Sequence, residues 1–123
     1  MATARAVLPE AQLHPAVRER VAGWHAGTVA EAQAAVAQHA VVVLGMHQNP
    51  FVKKARAALD AAGVAHHDIL IGSYFSEWRR RTALKMWAGW PTLPMVFVKG
   101  QLVGGADDLA ALIASGELKR LLG

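Results

Sequence analysis

A chain of 123 residues is long enough to fold as one domain with its own core, and a composition of 54% hydrophobic and 18% charged residues excludes a disordered tail. The formal net charge of +4 comes from lysines and arginines that we expect on solvated helix faces, so nucleic-acid binding is not expected. The absence of cysteine excludes disulfides, thiolate nucleophiles, zinc–thiolate sites and iron–sulfur clusters ligated by the protein.

The first part of the chain, residues 1–27, is predicted to be an extension that precedes the main domain, residues 28–123. Its first nine residues contain no apolar segment followed by a cleavage site, so we expect no secretion signal and a cytoplasmic protein. Val17, Val21 and Trp24 fall on one helical face, and their spacing predicts a short helix over residues 14–24.

Thr28 and Glu31 have the spacing of a capping box, which predicts that a second helix begins at Thr28 and ends near Gln38. The β-branched run at residues 40–44 then predicts a strand that is buried on both faces, and its apolar stretch is too short to cross a membrane. Asn49 is a preferred N-cap residue and is followed by proline, so a helix is predicted to begin there.

The remaining predicted elements are a strand over residues 65–71, a basic helix over 76–86, a hairpin of strands over 94–98 and 101–103, and helices over 107–115 and 117–122. Because a strand–helix–strand unit needs a parallel pair and a hairpin adds antiparallel strands, this order predicts an α/β fold. Its core would be a four-stranded mixed sheet with helices on both faces.

Five short segments carry recognisable motifs in a fixed order. They are the apolar strand at residues 41–44, Asn-Pro-Phe-Val at 49–52, Trp-Pro-Thr-Leu-Pro at 90–94, Val-Lys-Gly at 98–100 and Gly-Gly-Ala-Asp at 104–107. In these segments the chain resembles the glutaredoxins, particularly the monothiol branch, over about residues 28–123. The resemblance implies a thioredoxin/glutaredoxin-like fold with an N-terminal helical extension.

The resemblance also implies a groove for glutathione. Pro94 would follow a cis peptide bond, and Leu93, next to Thr92, would contact the cysteinyl part of glutathione through its backbone. Arg81 aligns with an arginine of the glutaredoxins that pairs with the glycine carboxylate of glutathione, and a planar guanidinium suits such a contact.

The same resemblance places the γ-glutamyl carboxylate of glutathione at the start of the last long helix. There the backbone N–H groups of Gly105, Ala106 and Asp107 would donate to it, because a helix N-terminus has unpaired donors and a positive dipole end. The predicted ligand-binding residues are therefore Asn49, Arg81, Thr92, Leu93, Pro94, Gly105, Ala106 and Asp107.

The chain departs from the glutaredoxin pattern at the reactive position. Asn49 replaces the nucleophilic cysteine, Val52 occupies the second motif position, and Met46 replaces a basic residue three positions before the cysteine. The first change removes thiol catalysis, and the last removes one cationic contact. Asn49 either caps its helix only or caps it and also touches a ligand.

Three functions are compatible with this sequence. The first is a redox-inactive binding module for glutathione or for an anionic group of a partner protein, with no catalytic residue, no metal and no iron–sulfur cluster. The second is a glutathione-dependent enzyme of another type, such as a transferase. The third is a structural or protein-interaction domain in which the N-terminal helix mediates association, and a homodimer is a candidate assembly. No membrane partner is expected.

Overall fold

A computed structural model describes residues 3–123, so the first two residues of the predicted extension lie outside the described part of the chain. The described helices follow a short 3-10 turn (Glu10–Gln12) and are α1 (Pro15–Gly23), α2 (Ala26–Gln38), α3 (Pro50–Ala61), α4 (Trp78–Ala88), α5 (Ala106–Ser115) and α6 (Glu117–Leu122). The strands are β1 (Val41–Gly45), β2 (His67–Leu70), β3 (Met95–Val98) and β4 (Gln101–Gly104).

The four strands form one mixed sheet in the order β2-β1-β3-β4. β1 pairs with β2 in parallel, and β3 pairs with both β1 and β4 antiparallel. This arrangement confirms the predicted α/β architecture. Among residues 3–123, no helix is both long and apolar enough to cross a membrane.

Both faces of the sheet are covered, as the β-branched run of β1 predicts. Val42 and Leu44 pack on one side, in a cluster that includes residues of α2 and α4, whereas Val41 and Val43 pack on the other, against α3, α5 and α6. Because side chains alternate along a strand, one short apolar run supplies both layers of the core. This two-sided burial fixes β1, whose C-terminal end leads into the loop before α3.

The start of α2 differs from its prediction. The helix begins at Ala26 after His25, which has a φ of 44°, so Thr28 lies inside the helix and does not cap it. The buried Thr28 hydroxyl instead accepts a hydrogen bond from Arg80 Nε at 2.8 Å, a contact with α4 that the local sequence does not encode. The predicted boundary between residues 27 and 28 falls within α2, so the two-part division stays a prediction.

The predicted N-terminal helix is present as α1, which is capped by His14 Nδ1 accepting from the Ala16 N–H at 3.0 Å. None of its residues is buried. Val17, Val21 and Trp24 line a shallow groove together with Met86 of α4. The apolar face of α1 therefore packs only partly against the rest of the chain.

Candidate functional site

The eight residues predicted from the sequence to bind a ligand all line one groove of about 530 Å³. Its walls are the N-terminal ends of α3 and α5, the segment between α4 and β3, and one face of α4. The predicted residues in it are Asn49, Arg81, Thr92, Leu93, Pro94, Gly105, Ala106 and Asp107. The structure thus brings together residues that are up to 58 positions apart in the chain, from Asn49 to Asp107.

At one end of the groove, Asn49 caps α3. Its Oδ1 accepts hydrogen bonds from the N–H groups of Phe51 at 2.9 Å and Val52 at 3.1 Å, and Pro50 occupies the first helical position. Asn49 is only 9% exposed. The two backbone donors that a helix N-terminus would offer to a ligand are therefore already used by the Asn49 side chain.

The segment between α4 and β3 faces the groove through Thr92, Leu93 and Pro94. The Leu93–Pro94 peptide bond is cis, as predicted from the resemblance. Leu93 is buried, and Pro94 leads directly into β3. The central sheet therefore fixes the position of this wall of the groove.

The N-terminal end of α5 differs from the prediction at Gly105. The Gly105 N–H donates to Asp108 Oδ2 at 2.9 Å, so it is not open to a ligand. Gly104 has a φ of +113°, and a Cβ at this position would clash with the Asp108 carboxylate. The open donors at this end are thus the N–H groups of Ala106 and Asp107, which lie in the first turn and have no intrahelical acceptor.

Asp107 has a second role. Its carboxylate Oδ1 lies 2.9 Å from Lys54 Nζ, and both side chains are largely exposed. Because such surface pairs are worth at most about 1 kcal/mol, the bridge contributes little stability, yet it links α3 to α5 at the edge of the groove.

Arg81 lines the groove but is also part of the fold. It is 7% exposed, and its Nη1 donates to the carbonyl oxygens of Ile71, at 3.0 Å, and Ser76. These bonds hold the loop before α4 against the helix. Removal of Arg81 would leave two carbonyl groups without their donor, so an Arg81→Ala variant reports on folding as well as on binding.

Sequence reasoning missed several groove residues, namely Phe51, Tyr74, Lys85 and Trp90. Lys85 had a readable signal: it follows Arg81 by four positions on a helix, and residues at this spacing share one face. Phe51 and Tyr74 are both about half exposed, and they add apolar surface. The Trp90 Nε1 is buried and finds no hydrogen-bond partner among residues 3–123.

Met46 lies beside Asn49 in the groove, where the resemblance places a basic residue. It is 6% exposed and belongs to the core cluster on the α2 and α4 side. The positive charge of the groove therefore comes from Arg81 and Lys85 on α4. Within the described residues, no group of three or more histidine, aspartate or glutamate side chains is placed to hold a metal ion.

Comparisons with known proteins agree with this geometry. The glutaredoxin family model matches residues 41–103, which include the strand β1, the Asn49 loop and the cis-proline segment. A glutaredoxin-like protein of Dictyostelium discoideum is 40% identical over 95 residues, which is 77% of each chain. Four further relatives are matched over 25% to 66% of their length.

Solved structures show the same fold. Oxidized glutaredoxin 2 from Chlamydomonas reinhardtii has a TM-score of 0.68 and 32% identity, with 80% of this chain and 92% of that chain covered. A buckwheat glutaredoxin–glutathione complex has a TM-score of 0.69 over 81% of this chain and 91% of that chain, and at 23% identity this likeness concerns the fold. The fold and the groove define a protein of the thioredoxin-like class. Within that class, the chain belongs to the glutaredoxin family, and it contains no cysteine.

Proposed function

We propose that this chain is a redox-inactive glutaredoxin-type module that binds glutathione, or a glutathione moiety on another protein, without thiol chemistry of its own. The observation that carries the proposal is the convergence of all eight predicted ligand-binding residues on one groove. The buckwheat glutaredoxin, which has the same fold, has been solved with glutathione. Because no cysteine is available, the module neither forms a mixed disulfide with its ligand nor ligates a cluster.

The groove has a chemical match for each end of glutathione. A carboxylate fits the open N–H groups of Ala106 and Asp107, where the α5 dipole favours negative charge. A second carboxylate fits the cationic side of the groove, formed by Arg81 and Lys85. The apolar and buried Leu93 lies between these two ends in the chain and lines the same groove as Asn49.

The sharpest test removes one groove charge and compares it with the same change elsewhere. Lys85→Gln removes a cation from the groove, whereas Lys119→Gln removes one from the exposed surface of α6. We expect glutathione to bind wild type and Lys119→Gln equally, and to bind Lys85→Gln about fivefold more weakly, because one partly screened ion pair is lost. Isothermal titration calorimetry at low ionic strength measures the three affinities.

Two results would contradict this proposal. The first is the absence of measurable glutathione binding by the wild-type protein at millimolar concentration. The second is equal binding by Lys85→Gln and Lys119→Gln, which would place the ligand outside the groove. Lys85 is preferred to Arg81 for this test because the hydrogen bonds of Arg81 to Ile71 and Ser76 make it part of the fold.

The N-terminal helix favours a second function, protein association. Val17, Val21, Trp24 and Met86 are between 37% and 54% exposed and line a common groove of about 390 Å³. A second copy of this chain is the candidate partner, and a charged substitution, Val21→Glu, is expected to abolish association. Sedimentation equilibrium of wild type and variant measures it, and a wild-type protein that stays monomeric at high concentration would rule out the homodimer.

A further inference from the structure

The loop between β2 and α4 presents three aromatic side chains to solvent. Phe75 is 96% exposed, and its neighbours Tyr74 and Trp78 are each 55% exposed. Large aromatic side chains are mostly buried in folded proteins, because burial removes much apolar surface from water. Three of them exposed side by side, here called the aromatic tip, therefore indicate a surface that a partner covers.

The aromatic tip is held by hydrogen bonds within its own loop. The Phe75 N–H donates to Ser73 Oγ at 3.3 Å, and the Ser76 N–H donates to the Ser73 carbonyl oxygen at 3.3 Å. At the base of the loop, Arg81 Nη1 donates to the carbonyl oxygens of Ser76 and Ile71. The exposed ring of Phe75 is thus presented by a preorganised turn, and a partner does not have to order the loop when it binds.

Positive charge surrounds the aromatic tip. The Arg79 guanidinium lies over the Trp78 ring, 4.6 Å from its centroid, and Arg79 forms no ion pair within residues 3–123. Arg80 lies 3.5 Å from Glu77, which is the only acidic residue among residues 72–85, whereas four residues of that segment are basic. Phe75, Trp78, Arg79 and Arg80 line one surface depression of about 300 Å³. The apolar and the cationic groups therefore share one surface, which attracts an anionic partner.

The partner has to surround a ring that protrudes from the chain. A bilayer surface does so without a matching pocket, because its acyl chains yield to an inserted side chain. Tyrosine and tryptophan rings favour the level of the headgroups, and basic side chains bind anionic headgroups. We propose that the aromatic tip docks on an anionic lipid surface, with Phe75 inserted among the acyl chains and Arg79 and Arg80 against the headgroup phosphates.

Such a contact is peripheral, since among residues 3–123 no helix is long and apolar enough to cross a bilayer. Sequence alone led us to expect no membrane partner, because it does not show that the three rings are exposed together. Tyr74 also lines the groove that contains Asn49, whereas Phe75 and Arg79 do not. Docking would hold this groove beside the lipid surface, and it does not depend on what the groove binds.

Cosedimentation with vesicles tests the charge requirement. We expect the full chain to bind vesicles of phosphatidylcholine with phosphatidylserine at low ionic strength, to bind vesicles of phosphatidylcholine alone much more weakly, and to dissociate as salt is added. Arg79→Gln is expected to lower the partition coefficient about fivefold, because one basic residue near an anionic surface contributes about this factor. Lys119→Gln, on the exposed surface of α6, is the matched control and should have a much smaller effect.

A second pair of variants tests insertion. Phe75→Ser should lower the partition coefficient at least about tenfold, whereas Leu8→Ser removes an apolar side chain that is 60% exposed outside the aromatic tip and should bind as wild type does. Because Phe75 packs against almost nothing, Phe75→Ser should keep the melting temperature of wild type. Its affinity for glutathione should also be unchanged, so a failure of lipid docking leaves the proposed function intact.

Three results would overturn the lipid assignment. The first is no binding of wild type to phosphatidylserine vesicles at low ionic strength. The second is equal binding to both kinds of vesicle, or equal binding by wild type and Phe75→Ser. The third is binding of an acidic peptide that depends on Phe75 while vesicles are ignored, which would show that a polypeptide covers the aromatic tip.

Discussion

The two helix N-termini that line the groove are capped in different ways. At α3, the side-chain oxygen of Asn49 takes the N–H groups of Phe51 and Val52. At α5, Asp108 takes only the N–H of Gly105, which precedes the helix, and the first-turn donors stay open. The N–H groups at the α3 end are therefore already hydrogen-bonded to Asn49, whereas the first-turn N–H groups of α5 can bind an anion. Of these two helix ends, only that of α5 suits a carboxylate.

The largest expected effect comes from removing the Asn49 cap of α3. Asn49→Cys frees the N–H groups of Phe51 and Val52 and introduces the only thiol of the protein. Because those donors and the α3 dipole favour the thiolate, its pKa is expected to fall below the free value of about 8.5. Thiolate absorbance as a function of pH measures it.

The matched control places the same residue at the opposite pole of a helix. Ser115→Cys lies at the exposed C-terminal end of α5, where the dipole disfavours negative charge. Its pKa is expected at or above the free value. Equal pKa values in the two variants would show that the α3 end offers no special stabilisation to an anion.

The next effect is on stability, and it compares the two caps directly. Asn49→Ala removes the acceptor of two N–H groups at a buried end, and a lost cap of this type costs about 1–2 kcal/mol of the free energy of unfolding. Asp108→Ala removes the acceptor of one N–H group at a more exposed end, with a cost of about 0.5 kcal/mol. Urea unfolding of both variants tests this order. A larger loss of unfolding free energy in Asp108→Ala than in Asn49→Ala would contradict it.

The smallest effect is a change of stability with pH that arises at His66, beyond the C-terminal end of α3 and outside the groove. His66 lies between Asp60 at 2.7 Å and Asp68 at 2.6 Å. Burial opposes its protonation, but the hydrogen bonds and charges of the two carboxylates outweigh burial, so the pKa of His66 is raised above 6.5. The stabilisation is therefore complete below about pH 6.5 and is lost as the pH rises through the higher folded-state value.

Two histidine variants check this sign. His66→Gln should remove the loss of stability above neutral pH, whereas His67→Gln, at an exposed neighbouring position, should retain it. The free energy of unfolding in urea, measured from about pH 5 to about pH 8.5, gives the comparison. If the wild-type free energy of unfolding instead rose with pH over this range, and His66→Gln abolished that rise, the assignment would be wrong.

The sequence predicted those features that depend on local signals. Asn49 followed by proline marked the start of α3, the β-branched run marked β1, and the cis bond before Pro94 followed from the resemblance. The four-stranded mixed sheet, with its parallel pair and its hairpin, agrees with the sequence-based interpretation as well. The eight residues predicted to bind a ligand all line one groove.

Some features that the sequence did not reveal depend on contacts between separate elements of the fold. The Thr28 hydroxyl meets Arg80, 52 positions away, so a local capping pattern was misleading. Arg81 is engaged by the carbonyl groups of a preceding loop. The Gly105 N–H is taken by Asp108, which is a local capping contact with the third residue of α5. Local chemistry names the candidates, but tertiary packing decides which donors stay free for a ligand.

The chemistry of Asn49 also decides what the groove responds to. A cysteine at this position exchanges with disulfides, and its state then follows the ratio of oxidised to reduced thiols in its surroundings. An amide undergoes no such exchange, so under the proposed function occupancy of the groove follows mass action alone. The module would thus report how much glutathione is present, and a shift in the redox potential at constant glutathione concentration would leave its covalent state unchanged.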